Sequence, residues 1–394
     1  MFQLLHDAEI YAPEPRGRLH LTVCAGKLVW MAPEPPRLPP ELVAEERELG
    51  GRRVIPGLVD AHAHVTGGGG ESGFASRVPP LALGRFTGAG ITTVVGLLGT
   101  DDLVRTTGQL VAAVRGLVEE GLSAWCYTGG YHLPPATLTG SVRGDIVHVD
   151  RILGVGELAL SDHRSSQPTL DELLRVASEA HVAGLMSGKA GLVHLHLGDG
   201  ERGLALVRAA LERSELPPRV FQPTHVNRRA ALFEEALELA RRGCGIDLTA
   251  FPVDEDDDGL TAEAGLARYL SADLPPELVT VSSDGGGCLP SFDAEGRVAR
   301  MDVGRPAALA ECLAALLAEG HAPERVLPAF TANPARALRL DKGRLTVGGD
   351  ADLVVLDGAG RPRDVMAGGR WHVRDGRQLV RGLFEPADGG ALDP

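Results

Sequence analysis

The sequence predicts an α/β protein with a (β/α)8 TIM barrel at its centre and β structure at both ends. Eight short apolar runs alternate with amphipathic stretches over about 285 residues, which is the rhythm of such a barrel. No glycine-rich dinucleotide fingerprint follows the first run, so an open doubly wound sheet is disfavoured. The two ends instead carry short strand-like runs separated by Gly-containing turns.

The two ends are predicted as β structure from local patterns. Residues 18–31 alternate apolar and polar side chains around Ala25-Gly26, which predicts a hairpin, and a proline-rich stretch follows at 33–40. Near the other end, the predicted strands are 344–347, 352–356, 364–366, 371–373 and 379–380.

The central part supplies the barrel strands and helices. Its strand-like runs are 54–58, 92–96, 124–128, 153–160, 192–197, 220–225, 245–248 and 278–282. The amphipathic stretches between or after them include 102–119, 170–183, 203–213, 230–242 and 306–319, which have helical periodicity.

The charge of the chain restricts its partners. Its 394 residues include 39 Lys and Arg against 53 Asp and Glu, a formal net charge of −14. That charge repels phosphate backbones and no basic stripe reverses it locally, so a nucleic-acid partner is excluded. No apolar run is long enough to span a membrane and residues 1–15 lack a signal-peptide core, which predicts a soluble, cytoplasmic protein with no membrane partner. The five cysteines are far apart and indicate neither a disulfide framework nor a cysteine metal site.

A His-x-His pair ends the first predicted barrel strand. His62 and His64 are two residues apart, so an extended backbone directs both side chains to one face, where they can hold one metal ion. Structural or surface histidines are the alternative. The position at the carboxyl end of a strand favours the metal, because active sites of barrel enzymes form there.

Three further candidate ligands occupy equivalent places on other strands. His196 lies near the end of one run, His225 ends another, and Asp284 follows the last. Imidazoles and a carboxylate converging from separate strands form the ligand set of a metal hydrolase and suit Zn²⁺. His194 faces the same way as His196 but deeper in the barrel, so we assign it to core packing.

Several motifs resemble a known family. VIPGLVDAHAH at the start of the barrel, with TANPARALRL and GRLTVGGDADLVVLD near its end, resembles the amidohydrolase superfamily over essentially the whole chain. The resemblance implies a metal-dependent barrel at 54–342 and a small β-sandwich domain formed by 1–53 and 343–394.

Shorter segments narrow the resemblance. They are HVTGGGGESG (64–73), GLLGTD (96–101), TGGYHLP (128–134), SDHRSS (161–166), PTHVNR (223–228) and SSDGGG (282–287), and they are similar to the bacterial isoaspartyl dipeptidases, also called β-aspartyl peptidases. The resemblance also suggests a homo-oligomer, with an octamer as one form.

The chain departs from that family at the residue that bridges the metals. Many members use a carbamylated lysine of the fourth barrel strand, where this chain has Glu157. The only lysines are Lys27, Lys189 and Lys342, and Lys189 precedes His196 by seven residues, about 23 Å along an extended strand, which is too far. Glu157 is therefore the predicted bridge, brought inward by a β-bulge at Gly156. A buried carboxylate paired with an arginine is the alternative.

The resulting prediction is a binuclear zinc hydrolase with two Zn²⁺ per subunit. A hydroxide shared by the two metals attacks the substrate, because metals lower the pKa of bound water to about 7. Asp284 acts as general base and then acid, and Tyr131 donates a hydrogen bond to the oxyanion, although a Tyr at a barrel rim is its ordinary interpretation. One metal is assigned to His62, His64, Glu157 and Asp284, and the other to Glu157, His196 and His225.

The resemblance implies that the substrate is an isoaspartyl dipeptide, a small molecule with one ammonium and two carboxylates. Glu71 is the candidate for the ammonium, and Arg164 and Arg228 can each grip a carboxylate, although surface arginines are the alternative. The aspartyl α-carboxylate is assigned to Thr100 and the backbone of Gly69. The family pattern has a serine where this chain has Cys288, which weakens any hydrogen bond from that position.

Two other functions remain open from the sequence. The first is a cyclic amidase of the dihydroorotase or hydantoinase type, which would have no ammonium for Glu71 to bind. The second is a metal-free scaffold that kept the fold and lost the chemistry. The acidic run 254–258 is predicted to be a solvated loop, with contact to ligand as the alternative.

Overall fold

The computed structural model describes residues 1–253, 258–292 and 297–386. Its strands are β1 (Phe2–Tyr11), β2 (Pro15–Cys24), β3 (Lys27–Ala32), β4 (Val43–Glu48), β5 (Arg53–Pro56), β6 (Leu58–Ala63), β7 (Ile91–Gly96), β8 (Ser123–Thr128), β9 (Ile152–Leu160), β10 (Val193–Leu197), β11 (Phe221–Thr224), β12 (Ile246–Thr249), β13 (Val279–Ser282), β14 (Cys288–Phe292), β15 (Val298–Val303), β16 (Leu353–Leu356), β17 (Pro362–Ala367), β18 (Arg370–Arg374) and β19 (Arg377–Gln378). Its α-helices are α1 (Leu83–Thr87), α2 (Thr107–Glu119), α3 (Val142–His148), α4 (Leu170–Ser187), α5 (Ala205–Arg213), α6 (Ala230–Arg241), α7 (Ala262–Ser271), α8 (Ala307–Ala318), α9 (Pro323–Phe330) and α10 (Ala332–Ala337).

The two ends of the chain form one nine-stranded sheet, here called the terminal sheet. Its order is β19-β18-β17-β16-β5-β1-β2-β3, and β4 pairs with β1. The predicted hairpin around Ala25-Gly26 is confirmed as β2 and β3, and both turn residues have a positive φ. The sheet has its own apolar core, which includes Leu5, Ile10 and Met366. The exact division of the chain at residues 53 and 342 stays a prediction.

Eight parallel strands, β6 to β13, form the barrel and confirm the predicted fold class. Strands β6 to β11 pair in sequence order and β12 pairs with β13. The last strand returns to the first, because Asp284 N donates to His62 O and His64 N donates to Gly285 O. Most barrel strands are buried along their whole length, as expected for strands covered on one face by helices and on the other by the barrel core.

The strand pairing of β5 corrects the prediction for 54–58, which was expected to be the first barrel strand. Strand β5 pairs with β1 and β16 in the terminal sheet, and the barrel begins at Leu58. The change occurs at Gly57, whose N–H donates to Asp352 O. A Cβ at Gly57 would lie 2.0 Å from Thr92 Oγ1, so only glycine fits this crossing. At the other end, 344–347 forms no strand and β19 precedes the predicted 379–380.

Caps set the helix boundaries. The helix predicted from residue 102 begins at Thr107, where Thr106 and Gln109 form a capping box, and Asp101 instead accepts a hydrogen bond from Val104 N in the preceding loop. A similar capping box, formed by Thr169 and Glu172, precedes α4, which begins at Leu170 as predicted. Helices α9 and α10 and the hairpin of β14 and β15 were not predicted. Among the described residues, no helix is both long and apolar enough to cross a membrane.

Candidate active site

A small pocket at the carboxyl ends of the barrel strands brings the predicted site residues together. The residues that line it come from seven of the barrel's strand ends and the loops beyond them. Those named from the sequence are His64, Gly69, Glu71, Thr100, Tyr131, Glu157, Arg164, His196, His225, Arg228, Asp284 and Cys288. The remaining candidate, His62, lies fully buried beside them, with Nε2 3.4 Å from Asp284 Oδ1.

Glu157 lies at the centre of four histidines and is itself 1% exposed. Its Oε1 is 3.3 Å from His64 Nε2, and its Oε2 is 3.1 Å from His196 Nδ1. The same Oε2 lies 3.4 Å from His225 Nε2 and 3.7 Å from His62 Nε2. The two oxygens of one carboxylate therefore face different imidazoles, which is the geometry that a bridging ligand needs.

A β-bulge brings Glu157 into this position. On β10, Val193 and Leu195 are two residues apart, but their partners on β9, Val155 and Leu158, are three apart. The extra residue falls at Gly156-Glu157, where a bulge was predicted. Gly156 has a φ of 155°, and a Cβ there would lie 2.7 Å from His194 Cβ, so a larger residue cannot replace it without displacement.

Lys189 lies at the opposite end of the barrel, as the sequence predicted. Its Nζ donates to Ile146 O and Val149 O, each at 2.6 Å, at the residues that precede β9. A carbamate on this lysine therefore has no route to the pocket.

Asp284 forms the second acidic group of the pocket. Its Oδ1 lies 3.2 Å from His64 Nε2 and 3.4 Å from His62 Nε2. The residue has a φ of 51° directly after β13. Glycines make room for it, because a Cβ at Gly287 would lie 2.1 Å from Asp284 Oδ1. The left-handed backbone turns this carboxylate back toward the two histidines of β6.

The buried carboxylates of the pocket favour a bound cation. Burial raises the pKa of Glu157, but the charge of His62 and hydrogen bonds from the other imidazoles hold that pKa well below its usual range. Burial also opposes protonation of His64, yet hydrogen bonds to Asp284 and Glu157 raise the pKa of its imidazole to about 10. Two buried carboxylates thus draw positive charge onto histidines. A divalent metal supplies that charge without any proton.

The donor atoms fit a divalent metal. Two groups have ligand atoms within 4.8 Å of one another, His62 with His64 and Asp284, and His62 with Glu157 and His225. His62 Nε2 and Asp284 Oδ1 are buried and have no hydrogen-bond partner of good geometry among the described residues. Imidazole nitrogen and carboxylate oxygen are ligands that zinc and similar metals accept. Neither compact group includes His196, although its Nδ1 faces Glu157.

The second ring nitrogen of three histidines has a partner that the sequence did not reveal. His62 Nδ1 lies 2.8 Å from His194 Nε2, and His225 Nδ1 lies 2.7 Å from Thr249 Oγ1. His196 Nε2 lies 3.0 Å from Asp162 Oδ2. His194 does pack against the barrel core, stacked on Tyr127, but its contact with His62 adds a role that core packing does not describe. The two-residue spacing of 194 and 196 was the available signal.

Tyr131 and Arg164 pack together beside the histidines. Tyr131 OH lies 2.9 Å from His196 Nδ1, and the Arg164 guanidinium carbon lies 5.4 Å from the centre of the Tyr131 ring. Burial raises the pKa of Tyr131 well above its usual value, so the hydroxyl keeps its proton. The side chain can therefore donate a hydrogen bond into the pocket.

The charged residues of the outer pocket pair with one another. Glu71 Oε1 accepts hydrogen bonds from Thr100 Oγ1 at 3.0 Å and Arg164 Nη1 at 3.2 Å. Its Oε2 is buried and has no hydrogen-bond partner in the part of the chain that the structure describes. Arg228 Nη1 lies 3.5 Å from the exposed Asp199. Burial, with the nearby charge of Glu71, raises the pKa of Cys288 to about 12, so this side chain is a neutral thiol.

The remaining predicted residues lie at the margin of the pocket or outside the description. Gly69 has a φ of 78°, and a Cβ there would lie 2.4 Å from Ser76 O, so the loop requires glycine. Of the acidic run 254–258, only Asp258 lies within the described residues.

The chain is similar to several known proteins. The model of the amidohydrolase family matches residues 53–372. The solved β-aspartyl dipeptidase of Fervidobacterium islandicum AW-1, in complex with β-Asp-Leu, is 38% identical with a TM-score of 0.90, over 96% of this chain and 98% of that chain. An imidazolonepropionase of Paracoccus denitrificans (strain Pd 1222) is 27% identical over 404 residues, which are 90% of this chain and 93% of that protein. A D-hydantoinase, 16% identical with a TM-score of 0.66 over 98% of both chains, shares the fold.

Proposed function

The chain belongs to the amidohydrolase family, and from that premise we propose that it is a binuclear zinc dipeptidase that hydrolyses β-aspartyl, or isoaspartyl, dipeptides. The observation that carries the proposal is the pair of Glu71 and Arg164 beside the four-histidine pocket. The similarity to the F. islandicum enzyme supports the same substrate class.

Two zinc ions per subunit fit the carboxylates and imidazoles of the pocket. Zinc would supply an activated water at neutral pH by lowering its pKa from near 16 to about 7. One ion would be held by His62, His64, Glu157 and Asp284, and the other by Glu157, His196 and His225. Glu157 carries the single negative charge of a carbamate and two oxygens, and the bulge at Gly156 compensates for its shorter side chain.

The pair of Glu71 and Arg164 is complementary to a free amino-acid group. An isoaspartyl dipeptide keeps an α-ammonium and an α-carboxylate on one carbon, because its peptide bond uses the side-chain carboxyl. An α-linked dipeptide has no such group at its first residue. Glu71 would bind the ammonium through its unpartnered Oε2, and Arg164 would turn its Nη1 to a substrate carboxylate. Thr100 and the backbone of Gly69 would complete the contacts to the aspartyl α-carboxylate.

The chemical step needs a proton carrier and a hydrogen-bond donor. Asp284 would accept the proton of the attacking water at its carboxylate and deliver it to the nitrogen of the leaving amine. Tyr131 would donate a hydrogen bond from its hydroxyl to the carbonyl oxygen as negative charge develops there. Arg228 would bind the carboxylate of the second residue, and the neutral thiol of Cys288 would contribute at most a weak hydrogen bond.

A substrate comparison tests the proposal. We expect the purified enzyme to hydrolyse β-Asp-Leu and to leave α-Asp-Leu and dihydroorotate intact. Hydrolysis of dihydroorotate alone would overturn the dipeptidase assignment. Metal analysis after preparation without chelators should give about two zinc ions per chain, and less than one would revive the metal-free scaffold.

A cyclic-amide hydrolase is the second candidate, because the P. denitrificans relative is an imidazolonepropionase that covers 90% of this chain. A cyclic amide has no ammonium, which would leave the buried Glu71 carboxylate without a substrate partner. Turnover of imidazolonepropionate faster than that of β-Asp-Leu would favour this candidate. A cytoplasmic location and a homo-oligomeric state remain predictions of the sequence.

A further inference from the structure

Asp162 contacts both a proposed metal ligand and a proposed substrate-binding residue. It lies two residues after the end of β9, and its side chain is 3% exposed. Its Oδ2 lies 3.0 Å from His196 Nε2 and 2.8 Å from Arg164 Nη2. Its Oδ1 accepts from Arg164 Nε at 3.0 Å and from Arg164 N at 2.7 Å. No role for this residue was predicted from the sequence.

The contact with His196 decides which ring nitrogen is available to a metal. Both ring nitrogens of His196 face carboxylate oxygens, but only Glu157 is among the proposed metal ligands. With a metal at Glu157, Nε2 keeps the ring proton and donates a hydrogen bond to Asp162. The lone pair is then on Nδ1, which faces Glu157 Oε2 at 3.1 Å. His62 and His225 have neutral partners instead, His194 and Thr249. The ligands assigned to the second metal therefore include one imidazole whose other ring nitrogen is held by a buried carboxylate.

The contact with Arg164 fixes the plane of the guanidinium. Nε and Nη2 both point to Asp162, which directs Nη1 toward Glu71. The loop after β10 is built to admit this carboxylate, because a Cβ at Gly198 would lie 2.4 Å from Asp162 Oδ2. A guanidinium held along one edge presents its other edge to a carboxylate with little loss of side-chain entropy.

We propose that Asp162 is a positioning residue that orients His196 for the second metal and Arg164 for the substrate at the same time. The substrate part rests on the proposed function, whereas the metal part does not. One carboxylate thus sets both the affinity of the second metal position and the KM of the substrate.

Zinc titration of Asp162→Asn tests the metal part. Starting from metal-free protein, with a competing chromophoric chelator, we expect the second equivalent of zinc to bind about 10–100-fold more weakly and the first to bind as in the wild type. Asp171→Asn, the same change at an exposed residue of α4, should leave both equivalents unchanged. Wild-type affinity for both equivalents in Asp162→Asn would overturn the proposal.

Arg164→Gln separates the two contacts. We expect it to raise the KM for β-Asp-Leu and to keep the wild-type zinc affinity, because His196 still donates to Asp162. A loss of zinc affinity as large as that of Asp162→Asn would overturn the independent role of the His196 contact. If Asp162→Asn does not fold by circular dichroism, Asp162→Ser repeats the titration, and wild-type zinc affinity there would again refute the proposal. The titration uses no substrate, so it is independent of the substrate assignment.

Discussion

Just before β16 of the terminal sheet a buried aspartate lies beside a lysine, whereas in the barrel a buried glutamate lies among four histidines. Asp352 Oδ2 accepts from Lys342 Nζ at 2.7 Å, and its Oδ1 accepts from Gly368 N at 2.7 Å. Glu157 instead contacts imidazoles, which carry a positive charge only when both ring nitrogens are protonated. The first arrangement is complete as it stands, and the second becomes electrically balanced when a metal or protons are added.

The placement of the three lysines belongs to the same contrast. Lys27 and Lys342 both pair with Asp350, and Lys189 donates to two backbone carbonyls below the barrel. Each lysine is thus committed to structure. The carboxylate in the metal pocket therefore comes from an acidic side chain and not from a carbamylated lysine. The bulge at Gly156 brings Glu157 within reach of the histidines.

Of the four replacements that test this difference between the two regions, that of Glu157 should have the largest effect. We expect Glu157→Ala to lose one or both metals and more than about 1,000-fold in kcat/KM, about 4 kcal/mol of transition-state stabilisation. Metal content by mass spectrometry and hydrolysis of β-Asp-Leu measure both effects. Glu157→Gln, which keeps the shape and removes the charge, should show the same loss. Full activity in either variant would mean that another residue bridges the metals.

Replacing Tyr131 should affect the barrel pocket without emptying it. We expect Tyr131→Phe to lower kcat by about 100-fold to 1,000-fold with both metals retained, because it removes one hydrogen bond to the developing oxyanion. Steady-state kinetics separate kcat from KM, and metal analysis is the control. A wild-type kcat in this variant would mean that Tyr131 only packs against His196 and Arg164.

Replacing Lys342 should act on stability alone. Lys342→Met leaves Asp352 buried without its cation, which should lower the free energy of unfolding by about 3 kcal/mol. Urea denaturation of the metal-free protein measures the change. Metal content and kcat/KM should match those of the wild type. A loss of metal in this variant would show that the two acidic clusters are coupled, against the contrast drawn between them.

Much of the fold was predictable because it depends on local patterns. Buried apolar runs located seven of the eight barrel strands, and residues two apart on a strand end located the His62 and His64 pair. The partner of β5 was not predictable, since the run at 54–58 is equally apolar in either sheet and only the crossing at Gly57 decides. The start of α2 was missed because the Thr106 cap competes with the acidic residues before it.

The metal ligands proposed for the site were predictable from the sequence, whereas the residues that hold those ligands in place were less so. Histidines and carboxylates at strand ends carry a recognisable chemistry, so the residues around Glu157 could be named in advance. Asp162 and Thr249 could not be named in advance. The role of such an Asp or Thr depends on the histidine ring nitrogen that it contacts in the folded chain. The pairing of Glu71 with Arg164 was likewise invisible, since the two residues are 93 positions apart.

Replacing Glu71 should give the smallest of these effects and tests the outer pocket. We expect Glu71→Gln to raise the KM for β-Asp-Leu about 10-fold to 100-fold, because a hydrogen bond to a charged group contributes about 1.5–3 kcal/mol. The kcat should change less, since Glu71 binds an ammonium that is remote from the reacting carbonyl. Acetylation of the substrate amine provides the matched control, because it removes the same interaction from the other side. If the acetylated dipeptide is hydrolysed as well as the free one, Glu71 does not bind the ammonium, and its carboxylate belongs with Asp352 among groups held for structure.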